Sequence, residues 1–330
     1  MPRLRLAVPD LVSNSYFPAV AAVELGYLTE AGSEANVELI YPVSSAMDAL
    51  ERGDVDLVAG AAHATLTAFP RWRGAKLLAA LSRHMYWFLV VRADLGAARG
   101  DVDVVKGLRI GAAPGVDLGL RQLLAEAGID PDRDVDIVPV PGLRAGSVSF
   151  GVNAAAALRE GRLDGFWANG MGAEVAVRER VGSVVLDVRR GDGPAVARDY
   201  TFPALVATDV TLRRRPDVAS RAVRALVRAQ EALRDDPGLA TQIGHRLFPP
   251  RESELIAELI SRDAPYYDPA ISPDTVSALN AFARAVGLQA GPSAYADVVA
   301  VEMQRFWSPG ADVPGQWGGT VVDGTRDAEA

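Results

Sequence analysis

An eleven-residue pattern occurs twice in this chain, at residues 46–56 and again at residues 154–164. Both copies read A-x-x-A-L-x-x-G-x-x-D, where x is any residue. The spacing predicts a short helix that ends at Gly53 in the first copy and at Gly161 in the second, because glycine readily takes the left-handed conformation that closes helices. A duplicated unit of this kind favours folds built from two similar halves.

The elements around the pattern repeat in the same order: strand, helix, strand, helix, strand. The strands are predicted at residues 4–8, 37–41 and 55–58 in the first half, and at 108–112, 135–140 and 163–167 in the second. The longer helices are predicted at residues 15–31 and 117–127. Alternating strands and helices indicate an α/β fold in which mainly parallel sheets are flanked by helices. The two halves therefore predict two similar α/β lobes.

The pattern ends in both copies on an aspartate, Asp56 or Asp164. We interpret both carboxylates as structural rather than catalytic, because they belong to the repeated unit.

The remaining elements are read from apolar periodicity and capping residues. Strands are predicted at residues 77–81, 87–91 and 200–208. Helices are predicted at residues 217–233, 253–262 and 293–306, with one more behind the Ser272-Pro273 pair, which suits a helix start. Residues 309–330 are rich in Gly, Asp and Pro, and we expect a loose tail there.

Composition excludes several classes of protein. The formal net charge of −8 argues against nucleic acid as a partner. The chain has no cysteine, which excludes disulfides, Cys-ligated metal sites and a thiol nucleophile. No apolar run approaches the roughly 20 residues of a membrane span. Met1-Pro2-Arg3 precedes the first strand directly, so we expect a cytoplasmic protein as the sequence stands, or a periplasmic or extracellular one if a leader has been removed.

Several motifs follow one another in an order that resembles a known family. Residues 16–32 match a helix motif of the form P-x-x-x-A-x-x-x-G-[YF]-[FL]-x-x-x-G. The duplicated pattern and the segments at 91–94 and 106–111 also match the pattern of this family. Together they resemble the type II periplasmic substrate-binding proteins, in the branch of sulfonate-, taurine- and nitrate-binding and thiamine-pyrimidine-related proteins. The resemblance covers about residues 4–235.

The resemblance implies two lobes joined by two crossover strands, with one small molecule bound between the lobes. The crossovers are expected near residues 90–92 and 202–204, which assigns residues 1–91 and 203–330 to lobe one and 92–202 to lobe two. It also implies the permease of an ABC importer as a partner, and no cofactor.

In open parallel sheets a ligand binds beyond the carboxyl ends of the strands. The loop after the first strand leads into a helix N-terminus that can hold a polar group, and small residues in the loop after residue 58 let the backbone approach a ligand. Residues 82–87 are the densest cluster of polar and aromatic residues, where an arginine can pair with an anion and aromatic rings can stack. The predicted ligand contacts from these loops are Ser13, Asn14, Ser15, Tyr16, His63, Thr65, Arg83, His84, Tyr86 and Trp87.

The second lobe should contribute the equivalent loops. The helix start at Gly115 and the segment after residue 166 are the main candidates, and one tyrosine lies by the second crossover. The predicted contacts are Gly115, Trp167, Asn169, Met171 and Tyr200, with Arg144 as a weaker anion-binding candidate. For Trp167 the alternative is plain core packing.

Two further functions stay open beside binding. A cysteine-independent hydrolase or lyase would use His63 or His84 as acid and base with a nearby serine. Relatives that act as sulfinate desulfinases use a cysteine near the first helix, where this chain has Ser13, Asn14 and Ser15. An intracellular sensing module would use the same cleft without turnover. The aromatic loops favour a small, partly apolar or aromatic ligand. An anionic group on this ligand is compatible with the same loops.

Overall fold

The computed structural model describes residues 3–142 and 149–308. Arg144 and the predicted tail at 309–330 lie outside the described residues. The strands are β1 (Leu4–Val8), β2 (Ala35–Leu39), β3 (Leu57–Ala61), β4 (Ala75–Ala80), β5 (Phe88–Arg92), β6 (Arg109–Ala112), β7 (Asp136–Val138), β8 (Gly165–Ala168), β9 (Gly182–Asp187) and β10 (Pro203–Thr208).

The helices alternate with these strands until β10, and then follow one another to the end of the described chain. They are α1 (Phe17–Glu24), α2 (Tyr27–Glu30), α3 (Val43–Arg52), α4 (Thr65–Ala68), α5 (Asp117–Glu126), α6 (Phe150–Arg159), α7 (Gly170–Arg178), α8 (Asp209–Arg214), α9 (Pro216–Asp235), α10 (Gly238–Leu247), α11 (Pro250–Asp263), α12 (Pro273–Ala285) and α13 (Tyr295–Val298).

Two five-stranded sheets of the same design form the two lobes. Their strand orders are β2-β1-β3-β10-β4 and β7-β6-β8-β5-β9. In each sheet three strands of one half are parallel, and the fourth strand, β10 or β5, is antiparallel to its neighbours. This confirms the predicted α/β fold with two similar lobes.

The duplicated pattern has the predicted local structure. Gly53 and Gly161 both follow a helix with a left-handed backbone, at φ +76° and +68°. Asp56 accepts a hydrogen bond from the backbone N–H of Arg5 (2.8 Å), and Asp164 accepts one from Arg109 (3.0 Å). Each carboxylate thus holds the loop before β3 or β8 against the beginning of the neighbouring parallel strand, which is a structural role in both copies.

The first connection between the lobes lies earlier than predicted. β5 pairs with β8 and β9, so it belongs to the second sheet, and the chain crosses between the lobes at residues 81–87 rather than at 90–92. The return crossing, which was expected near residues 202–204, occupies residues 188–202. The two segments run side by side, since the N–H of Met85 donates to the carbonyl of Arg198 (2.7 Å). Apolar alternation identifies a strand, but it does not identify the partner to which that strand bonds.

The predicted helix at 293–306 is wrong. The structure has the short helix α13, an extended break at Val299, which pairs in parallel with Leu77, and a 3-10 segment at Val301–Phe306. The apolar side chains of this region are buried against the first sheet and α9 rather than along one helical stripe. The sequence also gave no prediction for α10, which packs against α11.

Close packing of α6 against α7 positions one wall of the cleft. A side chain at Gly172 would place its Cβ 2.6 Å from the carbonyl oxygen of Gly151. Only glycine permits this approach, which brings the N-termini of the two helices together. Among the residues that the structure describes, no helix has the length and apolar character needed to cross a bilayer.

Candidate functional site

A cavity lies between the lobes, at the carboxyl ends of the parallel strands of both sheets. The loops after β1 and β2 line one side of it, and the loops after β6 and β8 with the start of α6 line the other. The lining residues are Pro9, Asp10, Ser13, Tyr16, Tyr41, Val43, Tyr86, Trp87, Ala113, Pro114, Val116, Phe150, Ala168 and Asn169. This is the position at which doubly wound sheets bind their ligands.

Among the described residues, five aromatic side chains line the cavity. Tyr41 of the first lobe stacks on Phe150 of the second, with ring centroids 6.0 Å apart. Tyr16 meets Tyr86 edge to face at 5.5 Å, and their hydroxyl groups share a hydrogen bond. Trp87 contacts Tyr86 at 5.0 Å. Burial and, to a smaller extent, the nearby Asp10 carboxylate raise the pKa of the Tyr41 hydroxyl to about 12, so this hydroxyl is neutral at physiological pH.

Asp10 is a buried carboxylate that joins the two lobes across the cavity. Its Oδ2 accepts hydrogen bonds from three groups of the second lobe: Ser149 Oγ (3.1 Å), the backbone N–H of Phe150 (3.1 Å) and Asn169 Nδ2 (2.8 Å). Its Oδ1 accepts one from the N–H of Val12 (3.1 Å). Burial raises the pKa of Asp10 to about 7, although these hydrogen bonds act in the opposite direction.

A second polar cluster lies behind the loop after β1, and Arg189 is its centre. The guanidinium donates to Asp263 (2.5 Å), Ser15 (3.1 Å) and Ser82 (2.8 Å). Asn14 donates to the same Asp263 carboxylate at 2.6 Å. The cluster ties the return crossing, which contains Arg189, to both the first loop and α11 of lobe one.

Two polar atoms are buried without a hydrogen-bond partner among the described residues: Ser13 Oγ in the cavity lining and Asn14 Oδ1 in the neighbouring Arg189 cluster. Buried polar atoms are normally paired, because leaving one unpaired costs about 1–3 kcal/mol. These two atoms are therefore candidates for ligand contacts.

His63 connects the lobes on the far side of Trp87. Its Nδ1 lies 3.0 Å from Thr201 Oγ1 and its Nε2 lies 3.0 Å from the carbonyl oxygen of Gly115. A carbonyl only accepts, so Nε2 carries the proton and Nδ1 accepts from the threonine hydroxyl. Burial lowers the pKa of His63 to about 4, although the Gly115 carbonyl and the Asp117 carboxylate favour the charged form.

This lowered pKa predicts a specific dependence of stability on pH. In the unfolded chain a histidine takes up its proton near pH 6.5, but His63 in the folded protein takes it up only near pH 4. The contribution of His63 is therefore complete above pH 6.5 and is lost as the pH falls toward 4. The loss should amount to about 3 kcal/mol in the free energy of unfolding, since one pKa unit is worth about 1.4 kcal/mol.

The measurement compares wild type with His63→Gln by urea unfolding at half-unit steps between pH 4.5 and 8. The wild type should lose stability relative to the variant below pH 6.5, while the difference stays constant above it. Asp10 and the other carboxylates are present in both proteins, so their titration cancels in the difference. Parallel curves over the whole range would contradict the assignment.

Arg83 and His84 lie away from the cavity, in a crevice on the outer side of the first crossing. The Nε of Arg83 lies 3.7 Å from Asp268, and about half of the side chain is exposed. His84 contacts Asp199 at 2.6 Å through Nδ1, and Arg198 at 3.0 Å through Nε2. The segment does not alternate: Arg83 and His84 both face outward, His84 with a left-handed backbone (φ +66°), while Tyr86 and Trp87 are both buried. We therefore leave Arg83 and His84 out of the proposed binding site.

The other predicted residues divide between the cavity and its surroundings. Ser13, Tyr16 and Asn169 line it, while Asn14 and Ser15 belong to the Arg189 cluster behind it. Five more do not line the cavity: Thr65, Trp167, Met171 and Tyr200 are buried, and Gly115 is half-buried. Among them, Trp167 packs on Trp87 and donates to the carbonyl of Val116 (3.2 Å), and Tyr200 stacks on Phe282.

The residues of the site that were not predicted from sequence include Asp10, Tyr41, Phe150 and Arg189. Asp10 and Tyr41 each follow a parallel strand of lobe one by two residues, so the strand-end rule was a usable signal for both. Phe150 and Arg189 had no such signal. Phe150 is the first residue of α6, and Arg189 lies in the return crossing between the lobes.

Neither His63 nor His84 is arranged as the base of a serine nucleophile. Both ring nitrogens of His63 and of His84 already have protein partners, and no serine hydroxyl bonds to a histidine ring within residues 3–142 and 149–308. The same described residues contain no group of three or more His, Asp or Glu side chains placed to hold a metal ion.

Two sheets of this order, two crossings and a cavity between the lobes define the class of type II periplasmic binding folds. The sequence profile of the NMT1-like family matches residues 2–246. The chain therefore belongs to the NMT1-like family. None of the curated proteins has a significantly similar sequence.

Solved structures show the same fold at low sequence identity. A protein from Bordetella bronchiseptica RB50 is similar at TM-score 0.71 and 20% identity, over 92% of this chain and 96% of its own. The alkanesulfonate-binding protein SsuA from Xanthomonas axonopodis pv. citri, bound to MOPS, has a TM-score of 0.68 and 14% identity, over 91% and 97%. The desulfurization enzyme DSZB has a TM-score of 0.60 and 18% identity, over 91% and 97%.

Proposed function

We propose that this protein binds one small, partly apolar or aromatic molecule between its lobes and releases it unchanged. The observation that supports this most directly is the cavity itself. Both lobes contribute aromatic side chains to it, and the hydroxyl of Ser13 in its lining has no hydrogen-bond partner among the described residues. Small-molecule sites have this composition, mostly apolar with a few placed polar groups.

Closure of the lobes is the mechanism by which such a site gains affinity. Two hydrogen-bonded contacts already cross the cleft, from Asp10 to the second lobe and from His63 to Gly115. The two crossings at 81–87 and 188–202 are the only covalent links between the two sheets within the described residues, so they are the natural hinge. A ligand that contacts both walls adds stability to the closed state and shifts the population toward it.

The proposed role is that of the substrate-binding component of an ABC importer, with the importer's permease as partner and the periplasmic or extracellular side as the place of action. The likeness to the binding protein SsuA supports this role. The likeness to DSZB shows that the fold also occurs in an enzyme, but this chain has no cysteine, and the ring nitrogens of His63 and His84 are already paired. No observation favours turnover over binding.

A thermal-shift screen tests the proposal. The compounds should include sulfonates, aromatic carboxylates, pyrimidines and aromatic amines, each at a concentration far above its dissociation constant. A ligand at about 100 times its Kd stabilises the folded state by about 2.7 kcal/mol, so the melting temperature should rise measurably. Small-angle scattering of the same complex should show a smaller radius of gyration.

The fate of the compound separates the two functions. A stabilising compound that is recovered with unchanged mass agrees with binding. Conversion to a product of different mass would contradict the proposal and make the protein an enzyme.

A further inference from the structure

We infer that the cavity selects a ligand that carries a hydrogen-bond donor or a positive charge on its aromatic or apolar body, with the Asp10 carboxylate as the acceptor. This inference rests on the proposed binding function and names the chemical class of the ligand. It excludes sulfonates, carboxylates and other oxyanions as the preferred ligands.

The charge of the cavity wall is the first argument. Of the lining residues, only Asp10 and the tyrosines Tyr16, Tyr41 and Tyr86 are ionisable, and none is Lys, Arg or His. No cationic side chain of the described residues forms an ion pair with Asp10. Among the described residues, an anion in this cavity would meet a buried carboxylate with no protein cation to compensate it, which is unfavourable at low local dielectric.

The second argument is the N-terminus of α6. The N-terminus of a helix is the usual place for an anionic group of a ligand, because its free N–H groups point outward. Here the place is already taken. The N–H of Phe150 and the hydroxyl of the N-cap residue Ser149 both donate to Asp10. The protein thus supplies its own carboxylate at the position where an oxyanion would otherwise bind.

The third argument is the remaining capacity of Asp10. An ionised carboxylate offers about four acceptor positions, two on each oxygen. Oδ2 accepts three hydrogen bonds, but Oδ1 accepts only the local one from Val12. One position on Oδ1 is therefore open to a donor on the ligand. The surrounding aromatic faces also attract a cation, through the negative potential above each ring.

The arginines near the site do not change this balance. Arg189 lies behind Tyr86, with its guanidinium carbon 5.7 Å from the ring centroid, and its charge is paired with Asp263. Arg99, Arg190 and Arg262 line the crevice on that far side and are paired with Asp187, Asp192 or Glu174. Tyr86 is the wall that the cavity and this crevice share.

Calorimetric titration with four probes of one shape tests the inference: benzylamine, benzyl alcohol, benzoate and benzenesulfonate, at pH 8. Wild type should bind benzylamine at least about tenfold more tightly than either anion, a difference of about 1.4 kcal/mol. Asp10→Asn should lose about that factor for benzylamine while benzyl alcohol changes little, because the amide keeps the shape and removes the charge. Asp94→Asn, at an exposed carboxylate, is the matched control for net charge and should bind like wild type.

The outcomes separate this inference from the proposed function. Tighter binding of benzoate or benzenesulfonate by wild type, or equal binding of benzylamine by wild type and Asp10→Asn, overturns the ligand class while the cleft remains a binding site. If no probe binds but the broader screen finds a ligand, an anionic compound overturns the inference and a cationic or donor-bearing one supports it. Failure of every compound in both experiments overturns the proposed function as well.

Discussion

Arg189→Met should lower the free energy of unfolding by about 3–5 kcal/mol, the usual cost of removing one partner of a buried ion pair. The side chains of Arg189 and Asp263 are only 4% and 10% exposed, and they meet at 2.5 Å. Methionine fills much of the volume but leaves the Asp263 carboxylate buried without its cation. Asn14 and Ser15 can still donate to that carboxylate, but neither carries a charge.

The neighbouring residue provides the control. Arg190 pairs with Asp187 at 3.2 Å, but its side chain is 51% exposed, so Arg190→Met should change stability by less than about 1 kcal/mol. Urea unfolding of both variants gives the comparison. The double variant Arg189→Met with Asp263→Asn should recover part of the loss, because it removes the uncompensated charge. Equal losses for the two arginine variants would contradict the role assigned to the cluster.

Trp87→Ala should cost about 3–5 kcal/mol of stability and also abolish most of the ligand-induced stabilisation. The indole is 2% exposed and packs between the lobes, against Tyr86, Trp167 and His63. A Cβ on Gly119 of α5 would lie 2.8 Å from the ring, so the helix rests directly on the indole. Removal of the ring leaves a void beside the cavity and takes away one of its walls.

Trp72→Ala is the matched control for this second variant. Trp72 is also buried, at 3% exposure, but it belongs to the core of the first lobe and does not line the cavity. Its loss should lower stability by a similar amount, about 3–5 kcal/mol, yet leave the dissociation constant of the screened ligand unchanged. The readouts are urea unfolding and calorimetric titration of each variant. A ligand affinity that falls equally in both would show that Trp87 acts only through the core.

Part of the candidate site could be predicted from the sequence. The rule that ligands bind at strand ends led to Ser13, Tyr16, Tyr86, Trp87 and Asn169, all of which line the cavity. It also led to Arg83 and His84, which follow β4 just as closely but point outward. Distance along the chain from a strand end cannot distinguish these two groups, because the direction of a side chain in a connecting segment depends on what packs against it.

The sequence-based prediction and the structure differ most in the charge of the site. The arginine in the loop at 82–87 suggested an anionic group on the ligand, whereas the described lining of the folded cavity contains one carboxylate, Asp10, and no cation. Asp10 acquires its surroundings from Ser149, Phe150 and Asn169, which are far away in the chain. A pKa of about 7 for this group is a consequence of burial by the opposite lobe.

Local interactions account for what could be read directly from the residues. The duplicated pattern, the alternation of strands with helices and the left-handed glycines at 53 and 161 depend on neighbours within a few turns of chain, so they predict two α/β lobes reliably. The pairing of β5 with the second sheet, the extended break at Val299 and the convergence of residues around Asp10 depend on contacts between distant segments. Those contacts form only when distant segments pack, within one lobe for β5 and Val299 and between the two lobes for Asp10. Burial and hydrogen bonding over long sequence separations have no signature in the local pattern of residues.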